Sequence, residues 1–190
     1  MKILILDGFT LFQKDLDVAV FENYGEIIFR DRTSRDELKS VDHSVEVIIT
    51  NKCPISAEDL ALFPNLTLIL VSATGFNIVD VQACKEKGVQ VSNVPNYGTF
   101  SVAQHALAML LNYSNQVDLH EKSVKRGEWS TNQDWSYTLS PIREWHGKTL
   151  GIIGMGNIGH AFANMAESLG MQVIYHNRSR LIPEVEAACG

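Results

Sequence analysis

The residues with the clearest chemical use lie late in the chain, where Leu150-Gly151-Ile152-Ile153 runs into Gly154-Met155-Gly156-Asn157-Ile158-Gly159. An apolar strand leads directly into G-x-G-x-x-G; helix-forming residues Ala161–Leu169 follow, then Gly170 and a second strand at Gln172–Tyr175. In that β-turn-α-β setting each glycine has a task. Gly154 permits the tight turn, Gly156 lets backbone approach a pyrophosphate, and Gly159 lets the helix pack on the strand. Amides at the helix start then face the phosphates. The chemistry suited to this spacing is dinucleotide binding, although tight turns of this kind also occur in other α/β proteins such as methyltransferases.

The end of the second strand should hold the ribose. An NAD-selective site places a carboxylate there, about 20 residues after the glycines. This chain has Val173-Ile174-Tyr175-His176-Asn177-Arg178-Ser179-Arg180 instead. Without the acid nothing repels a 2′-phosphate, and an arginine can bind one bidentately. Asn177, Arg178 and Ser179 are therefore candidate contacts at the ribose end, and NADP(H) use at least equal to NAD(H) is the expectation. The competing reading makes both arginines solvated loop residues.

These residues need a scaffold. The first hundred residues alternate apolar runs with helical stretches, and strands are expected at Lys2–Leu6, Glu26–Arg30, Val45–Thr50, Leu66–Ala73 and Val89–Asn93. A helix is expected at Gln13–Asn23, with Leu16, Val20 and Phe21 on one side and Gly25 closing it, and a short polar one at Ser34–Ser40. Ser56 is the expected N-cap of another, with Glu58 and Asp59 in its first turn. Val79–Lys87 is also expected to be helical, with Gly88 ending it. Leu66–Ala73 is almost wholly apolar, as a parallel strand covered on both faces should be. Alternation of this kind implies a parallel α/β sheet of the flavodoxin type.

The texture then changes. Val102, Ala106, Met109, Leu110, Tyr113 and Val117 are spaced for one long helix from Ser101 to about Lys125. Gly127–Trp145 is expected to be irregular, and the strand Lys148–Ile153 opens a second α/β unit. The expected division is a substrate domain over 1–98 and a dinucleotide-binding domain over 99–190.

The balance of the chain fits this reading. Its 190 residues allow one large or two small domains. Sixteen Lys and Arg against 22 Asp and Glu leave a net charge of −6, which argues against nucleic-acid or anionic-membrane partners. No apolar run approaches the ~18 residues of a membrane span. The N-terminal run meets Asp7 after four apolar residues, too soon for a signal peptide. Cys53, Cys84 and Cys189 share no metal-ligand spacing and are expected to be reduced thiols of a cytoplasmic protein.

Several segments together resemble the D-isomer-specific 2-hydroxyacid dehydrogenases. They are Thr74-Gly75-Phe76-Asn77-Ile78-Val79-Asp80, Gly88-Val89-Gln90-Val91-Ser92-Asn93-Val94-Pro95, Ser101-Val102-Ala103-Gln104-His105-Ala106-Leu107 and the glycine fingerprint, in the family's order. Asn51-Lys52, Ala73-Thr74-Gly75-Phe76-Asn77 and His146-Gly147-Lys148-Thr149-Leu150-Gly151 look most like its glycerate dehydrogenase/hydroxypyruvate reductase branch. The resemblance implies a flavodoxin-like substrate domain followed by a Rossmann domain that is incomplete in this chain, with the family's active site in the cleft between them. It implies hydride transfer between NAD(P)H and a small 2-oxo acid, hydroxypyruvate or glyoxylate giving D-glycerate or glycolate.

By the same resemblance, Ser72, Ala73, Thr74 and Gly75 belong to the loop whose amides hold the substrate carboxylate. A glycine-containing turn after a buried strand does offer free N–H groups to an anion. Thr74 also matches a cofactor-contacting position, and Asn157 and Ile158 match the amides on the pyrophosphate. Thr99 and Val102 match the nicotinamide end, ordinary N-cap service being the alternative for Thr99. Lys52 is either a substrate contact or a solvated loop lysine. Trp135 loosely matches a tryptophan that in some hydroxypyruvate reductases reaches the partner subunit's site; it could equally be a dimer anchor or loop packing. A homodimer through the 101–145 region is implied.

The family's chemistry uses an arginine, a glutamate and a histidine beyond the second Rossmann strand, and the 190 residues reach Gly190 before any of those motifs. No catalytic residue is therefore assigned within the chain. His43, His105, His120, His146, His160 and His176 are expected to be solvated or packed histidines and not substitutes. The alternatives are a dinucleotide-sensing binding module without turnover and an inactive fragment. A sheet stopping after its second Rossmann strand should also expose apolar surface.

Overall fold

Seven short runs become strands among the described residues, two of them, Val47–Thr50 and Leu68–Val71, continuously apolar or β-branched. The protein, as a computed structural model, is described for residues 1–12 and 16–179, and it divides into two units, Met1–Tyr97 and Gly98–Gly190.

In the first unit, strand β1 (Lys2–Ile5) is followed by a single helical turn α1 (Gly8–Leu11) and strand β2 (Glu26–Phe29). Then come β3 (Val47–Thr50), α2 (Ala57–Leu60), β4 (Leu68–Val71), α3 (Val81–Lys87) and β5 (Gln90–Asn93). All five strands are parallel, in the order β2-β1-β3-β4-β5. That order is the flavodoxin-like one, with its reversal of direction at β1/β3.

Side-chain alternation covers both faces of this sheet. Leu4, Ile48, Ile69 and Val71 point to one side, into a core with Ile55, Leu60, Phe63, Val79 and Cys84. Ile3, Ile5, Val47 and Ile49 point to the other, where Phe12, Val18 and Phe21 meet them. An apolar residue at nearly every position is what a strand buried on two faces requires.

Ser56 caps α2 in a reciprocal capping box. Its hydroxyl accepts from the Asp59 amide at 3.3 Å, and the Asp59 carboxylate accepts from the Ser56 amide at 2.9 Å. The Arg35 guanidinium also donates to the Ser56 hydroxyl, at 3.2 Å. Ser56→Ala is expected to destabilise the unit by about 1 kcal/mol, read as a lower urea midpoint with an unchanged slope. α3 is capped by Asp80 and ends at Gly88, whose φ of 76° is the left-handed conformation.

The second unit contains α4 (Thr99–Asn115), α5 (Val117–Lys125), α6 (Glu128–Thr131), β6 (Thr149–Ile153), α7 (Asn157–Glu167) and β7 (Gln172–His176). β6 and β7 pair in parallel from Thr149 opposite Gln172 to Ile153 opposite His176, with α7 as their crossover and α4 packed against it. Ile152, Met155 and Ala163 form its small core. Ile153 and Ile174 remain 91% and 61% exposed.

The elements depart from the sequence expectation in four places. Instead of one helix over Gln13–Asn23 there is the earlier turn α1 and a 3₁₀ stretch at Val18–Asn23, while residues 13–15 lie outside the described ones. Asp17, in extended backbone, accepts from the Ala19 amide and restarts the chain there; Leu16 and Val20 are exposed rather than packed. The polar helix at Ser34–Ser40 shrinks to a 3₁₀ turn at Glu37–Ser40, anchored in the core by Leu38 alone. The loop 127–145 opens with the short helix α6, whereas an irregular segment was expected throughout.

The long helix is the fourth departure, since it breaks at Gln116 (φ 47°, ψ 47°). Just before the break the Ser114 hydroxyl turns back onto the Leu111 carbonyl at 2.9 Å, a bond that bends helices. His120 secures the break. Its Nε2 accepts from the Leu139 amide at 3.1 Å, so Nδ1 carries the hydrogen given to the Gln116 carbonyl at 2.9 Å.

Candidate functional site

Each unit presents a stretch of open backbone N–H groups, and each can be built up from its own strand ends.

In the first unit the stretch follows β4. The Ser72 amide is committed, donating to the Thr50 carbonyl at 2.9 Å, and its hydroxyl donates to the same oxygen at 3.2 Å. Ser72 therefore fixes the start of the loop and is not one of its open donors. The next four amides, of Ala73, Thr74, Gly75 and Phe76, have no acceptor among the described residues. The loop is held from below instead. The Asn93 side chain donates to the Thr74 carbonyl at 2.7 Å, the Val94 amide to the Ala73 carbonyl at 3.1 Å, and the Thr74 hydroxyl to the Val94 carbonyl at 3.1 Å. The carbonyls are thus engaged and the amides are left over, which is the polarity an anion needs. Thr74, Gly75 and Phe76 are exposed.

Lys52 lies on the loop after β3, the strand beside β4, and its side chain is exposed. The backbone beneath it is not free. Asp7, at the end of β1, is buried, and one of its carboxylate oxygens accepts four hydrogen bonds. They come from the amides of Asn51 (2.7 Å), Lys52 (2.9 Å) and Cys53 (3.1 Å) and from the Thr50 hydroxyl (3.0 Å). Burial pushes the Asp7 carboxyl up, and these bonds more than offset it, holding the group below the ordinary carboxylate range. Sequence reasoning missed Asp7, because its partners on the 51–53 loop are distant along the chain. Cys53 nearby is no nucleophile. Burial, and then the Asp7 carboxylate, push its thiol up to about 11, so it is protonated at neutral pH.

In the second unit the stretch is the glycine turn between β6 and α7. Gly154 has φ of 98°, a conformation costly for any side chain. A Cβ on Gly159 would sit 2.3 Å from the Gly154 carbonyl oxygen and 3.4 Å from the Ile152 side chain, so helix and turn touch at backbone distance there. A Cβ on Gly156 would meet nothing within 4 Å. The amides of Gly156 and Ile158 have no acceptor among the described residues, as expected of a helix start. Open space and open donors coincide at Gly156, which fits a phosphate drawn close to the backbone.

Asn177 is engaged with this turn. Its side-chain oxygen accepts from the Met155 amide at 2.7 Å, and beside it the Gly154 amide donates to the His176 carbonyl at 2.9 Å. The end of β7 thereby braces the glycine turn. Asn177, a candidate contact at the ribose end, retains its side-chain NH₂ for a ribose, while its oxygen is engaged with the Met155 amide. Arg178 and Ser179 are exposed, and Arg180 lies outside the described residues. Thr99 is the first residue of α4, and Val102, half exposed, donates its amide to the Gly98 carbonyl at 2.9 Å. Asn157, the first residue of α7, is exposed.

Known proteins resemble the chain over most of its length. Residues 3–179 match the profile of the D-isomer specific 2-hydroxyacid dehydrogenase catalytic domain. The chain is 42% identical over 180 residues to a hydroxypyruvate reductase of Blautia hydrogenotrophica, covering 93% of this chain and 56% of that protein. It is 33% identical over 178 residues to a glycerate dehydrogenase of Methylorubrum extorquens, covering 91% and 54%. Among solved structures it resembles a D-lactate dehydrogenase of Aquifex aeolicus complexed with NAD and lactic acid, with 26% identity, a TM-score of 0.70, and 98% and 54% of the two chains covered. The chain spans about half the length of the curated relatives it matches.

Proposed function

The chain belongs to the D-isomer-specific 2-hydroxyacid dehydrogenase family, and from that premise we propose that it supplies the dinucleotide grip and the substrate-carboxylate loop of an NAD(P)-dependent oxidoreductase acting on hydroxypyruvate or glyoxylate. The observation that carries the reading is the glycine turn, where Gly154, Gly156 and Gly159 each have the backbone geometry a pyrophosphate site needs. Bound nicotinamide supplies or receives the hydride.

The chain's own residues bind and orient. Gly156, Asn157 and Ile158 take the pyrophosphate, and Arg178 and Ser179 take the ribose end, with the Asn177 NH₂ as a third contact. Thr99 and Val102 are assigned to the nicotinamide end on the family resemblance. The amides of Ala73, Thr74 and Gly75 hold the substrate carboxylate, and Phe76 extends the row. Ser72 sets the loop rather than binding, and Thr74 contributes its amide because its hydroxyl is engaged with Val94. A carboxylate seated on successive amides orients the adjacent 2-oxo carbon, and orientation is a large part of what such a site supplies. In the family the histidine is the proton donor and acceptor, the glutamate tunes it, and the arginine binds the 2-oxo and carboxylate oxygens; none of the three is assigned within these 190 residues.

Two features belong to the same reading. Trp135, 88% exposed, and α4 side chains such as Met109 and Tyr113 are suited to a homodimer through the 101–145 region. Free buried thiols at Cys53 and Cys84 suit a cytoplasmic protein. Among the described residues no helix is long and apolar enough to cross a membrane.

The test is a pair of fluorescence titrations with NADPH and NADH, followed by absorbance-monitored turnover with hydroxypyruvate and glyoxylate. The 190-residue chain is expected to bind NADPH at least as tightly as NADH and to show no turnover. Arg178→Ala should weaken NADPH roughly tenfold while leaving NADH within about twofold, the loss of one bidentate phosphate contact. Absence of dinucleotide binding would overturn the reading, and a clear NADH preference would overturn the role of Arg178.

A further inference from the structure

β3 and β4 are parallel neighbours with Thr50 opposite Val71, so the loops leaving them, 51–53 and 72–76, emerge side by side. Thr50 joins the two. Its carbonyl accepts both bonds from Ser72, and its hydroxyl donates to Asp7 at 3.0 Å. Three successive amides converging on one anion form a nest. In the 51–53 loop that nest is filled by the protein's own carboxylate from Asp7. The loop is therefore not a second anion site but a turn whose backbone is locked. Its one cation, Lys52, is exposed and has no ion pair among the described residues.

A lysine on a loose loop contributes little to an anion, because ordering it costs nearly what the charge returns. Locking the backbone removes part of that cost before the anion arrives. We propose that Asp7 is a positioning residue for the substrate: it holds the Asn51–Cys53 turn so that the Lys52 ammonium adds its charge to the carboxylate field of the 73–76 loop. This rests on the reading of that loop given above. Asp7 acts through Lys52 and never meets the substrate, being buried behind the turn it fixes.

The experiment follows the amide resonances of Ala73–Phe76 in the ¹⁵N-labelled chain during glyoxylate titration. It uses the wild type, Lys52→Gln, Asp7→Asn and the double variant. Asp7→Asn keeps an oxygen acceptor in the nest and so preserves the fold better than a truncation. Glyoxylate is expected to shift the 73–76 amides saturably in the wild type. Lys52→Gln should raise the dissociation constant about fivefold and Asp7→Asn by about as much, with the double variant within roughly twofold of either single one, since coupled residues are not additive. If Asp7→Asn weakens glyoxylate equally with and without Lys52, Asp7 is structural only and the proposal fails. It also fails if the wild type binds and neither single variant differs from it; in both cases the carboxylate loop itself stands. If the wild-type amides do not respond, the carboxylate loop is wrong and the proposal falls with it.

Discussion

Gly159→Ala is expected to lose both stability and dinucleotide binding. The added Cβ would lie 2.3 Å from the Gly154 carbonyl oxygen, and that neighbour is backbone, which cannot swing aside as a side chain can. Overpacking of this kind costs about 1–3 kcal/mol. Relief would come from moving the start of α7 away from β6, which displaces the Gly156 and Ile158 amides. Dinucleotide affinity should then fall at least about tenfold, the equivalent of 1.4 kcal/mol. Gly156→Ala is the matched contrast. Its Cβ meets nothing within 4 Å, so stability should be unchanged while binding still falls, because the methyl fills the space a phosphate would use. All three tryptophans, Trp129, Trp135 and Trp145, lie in the second unit, so urea unfolding followed by tryptophan fluorescence reads that unit directly. A Gly159→Ala chain as stable as wild type would show that helix and turn are not held at backbone distance. Normal binding by Gly156→Ala would remove the phosphate from that position.

The glycine turn was legible in the sequence because its requirements are local. A left-handed residue, an open approach and a close helix contact fall within six positions, and glycine is the residue each demands. The strands were legible for a similar reason, since Leu66–Ala73 has no polar face to show. The break at Gln116 was not. Leu110, Tyr113 and Val117 keep helical spacing straight across it, and no residue type there announces a left-handed conformation. Asn177 was half legible: its place at the end of β7 marks it as important, but its oxygen proves to be engaged with Met155, 22 residues earlier. Asp7 escaped altogether, because its partners lie 43 to 46 residues away and nothing local distinguishes a buried acceptor from a solvated acid.

The second large effect concerns that residue. Asp7→Ala removes the acceptor of three amides and one hydroxyl and should destabilise the first unit by about 2–4 kcal/mol. Stabilities of single domains are only about 5–15 kcal/mol, so this is a substantial fraction. The effect carries a pH signature. The Asp7 carboxyl titrates lower in the folded chain than in the unfolded one, so its contribution is whole above the ordinary value of about 4. It is lost as pH falls below that, through the depressed folded value. Wild type and Asp7→Ala should therefore differ most at neutral pH and converge in acid. Thermal unfolding followed by far-ultraviolet circular dichroism at pH 7 and pH 3 measures this. A difference that stayed constant between those pH values would mean that the charge on Asp7 is not what holds the turn.

The span between Asp7 and its partners also bears on how the first unit is assembled during synthesis. β1 emerges first, yet each of its neighbours is distant along the chain, with Lys2 opposite Glu26 and Ile3 opposite Val47. Long-range parallel pairing is slow because loop closure must precede any reward from contact. A nascent chain stopped short of Cys53 can bring β1 beside β2 but has no complete amide set for the Asp7 carboxylate. Such a chain keeps a solvated acid just beyond the apolar residues Ile3–Leu6, and a charge there discourages the strand from burying itself in the wrong partner. Asp7 thus serves the growing chain as a guard and the finished one as a lock, with the arrival of residues 50–53 converting one into the other.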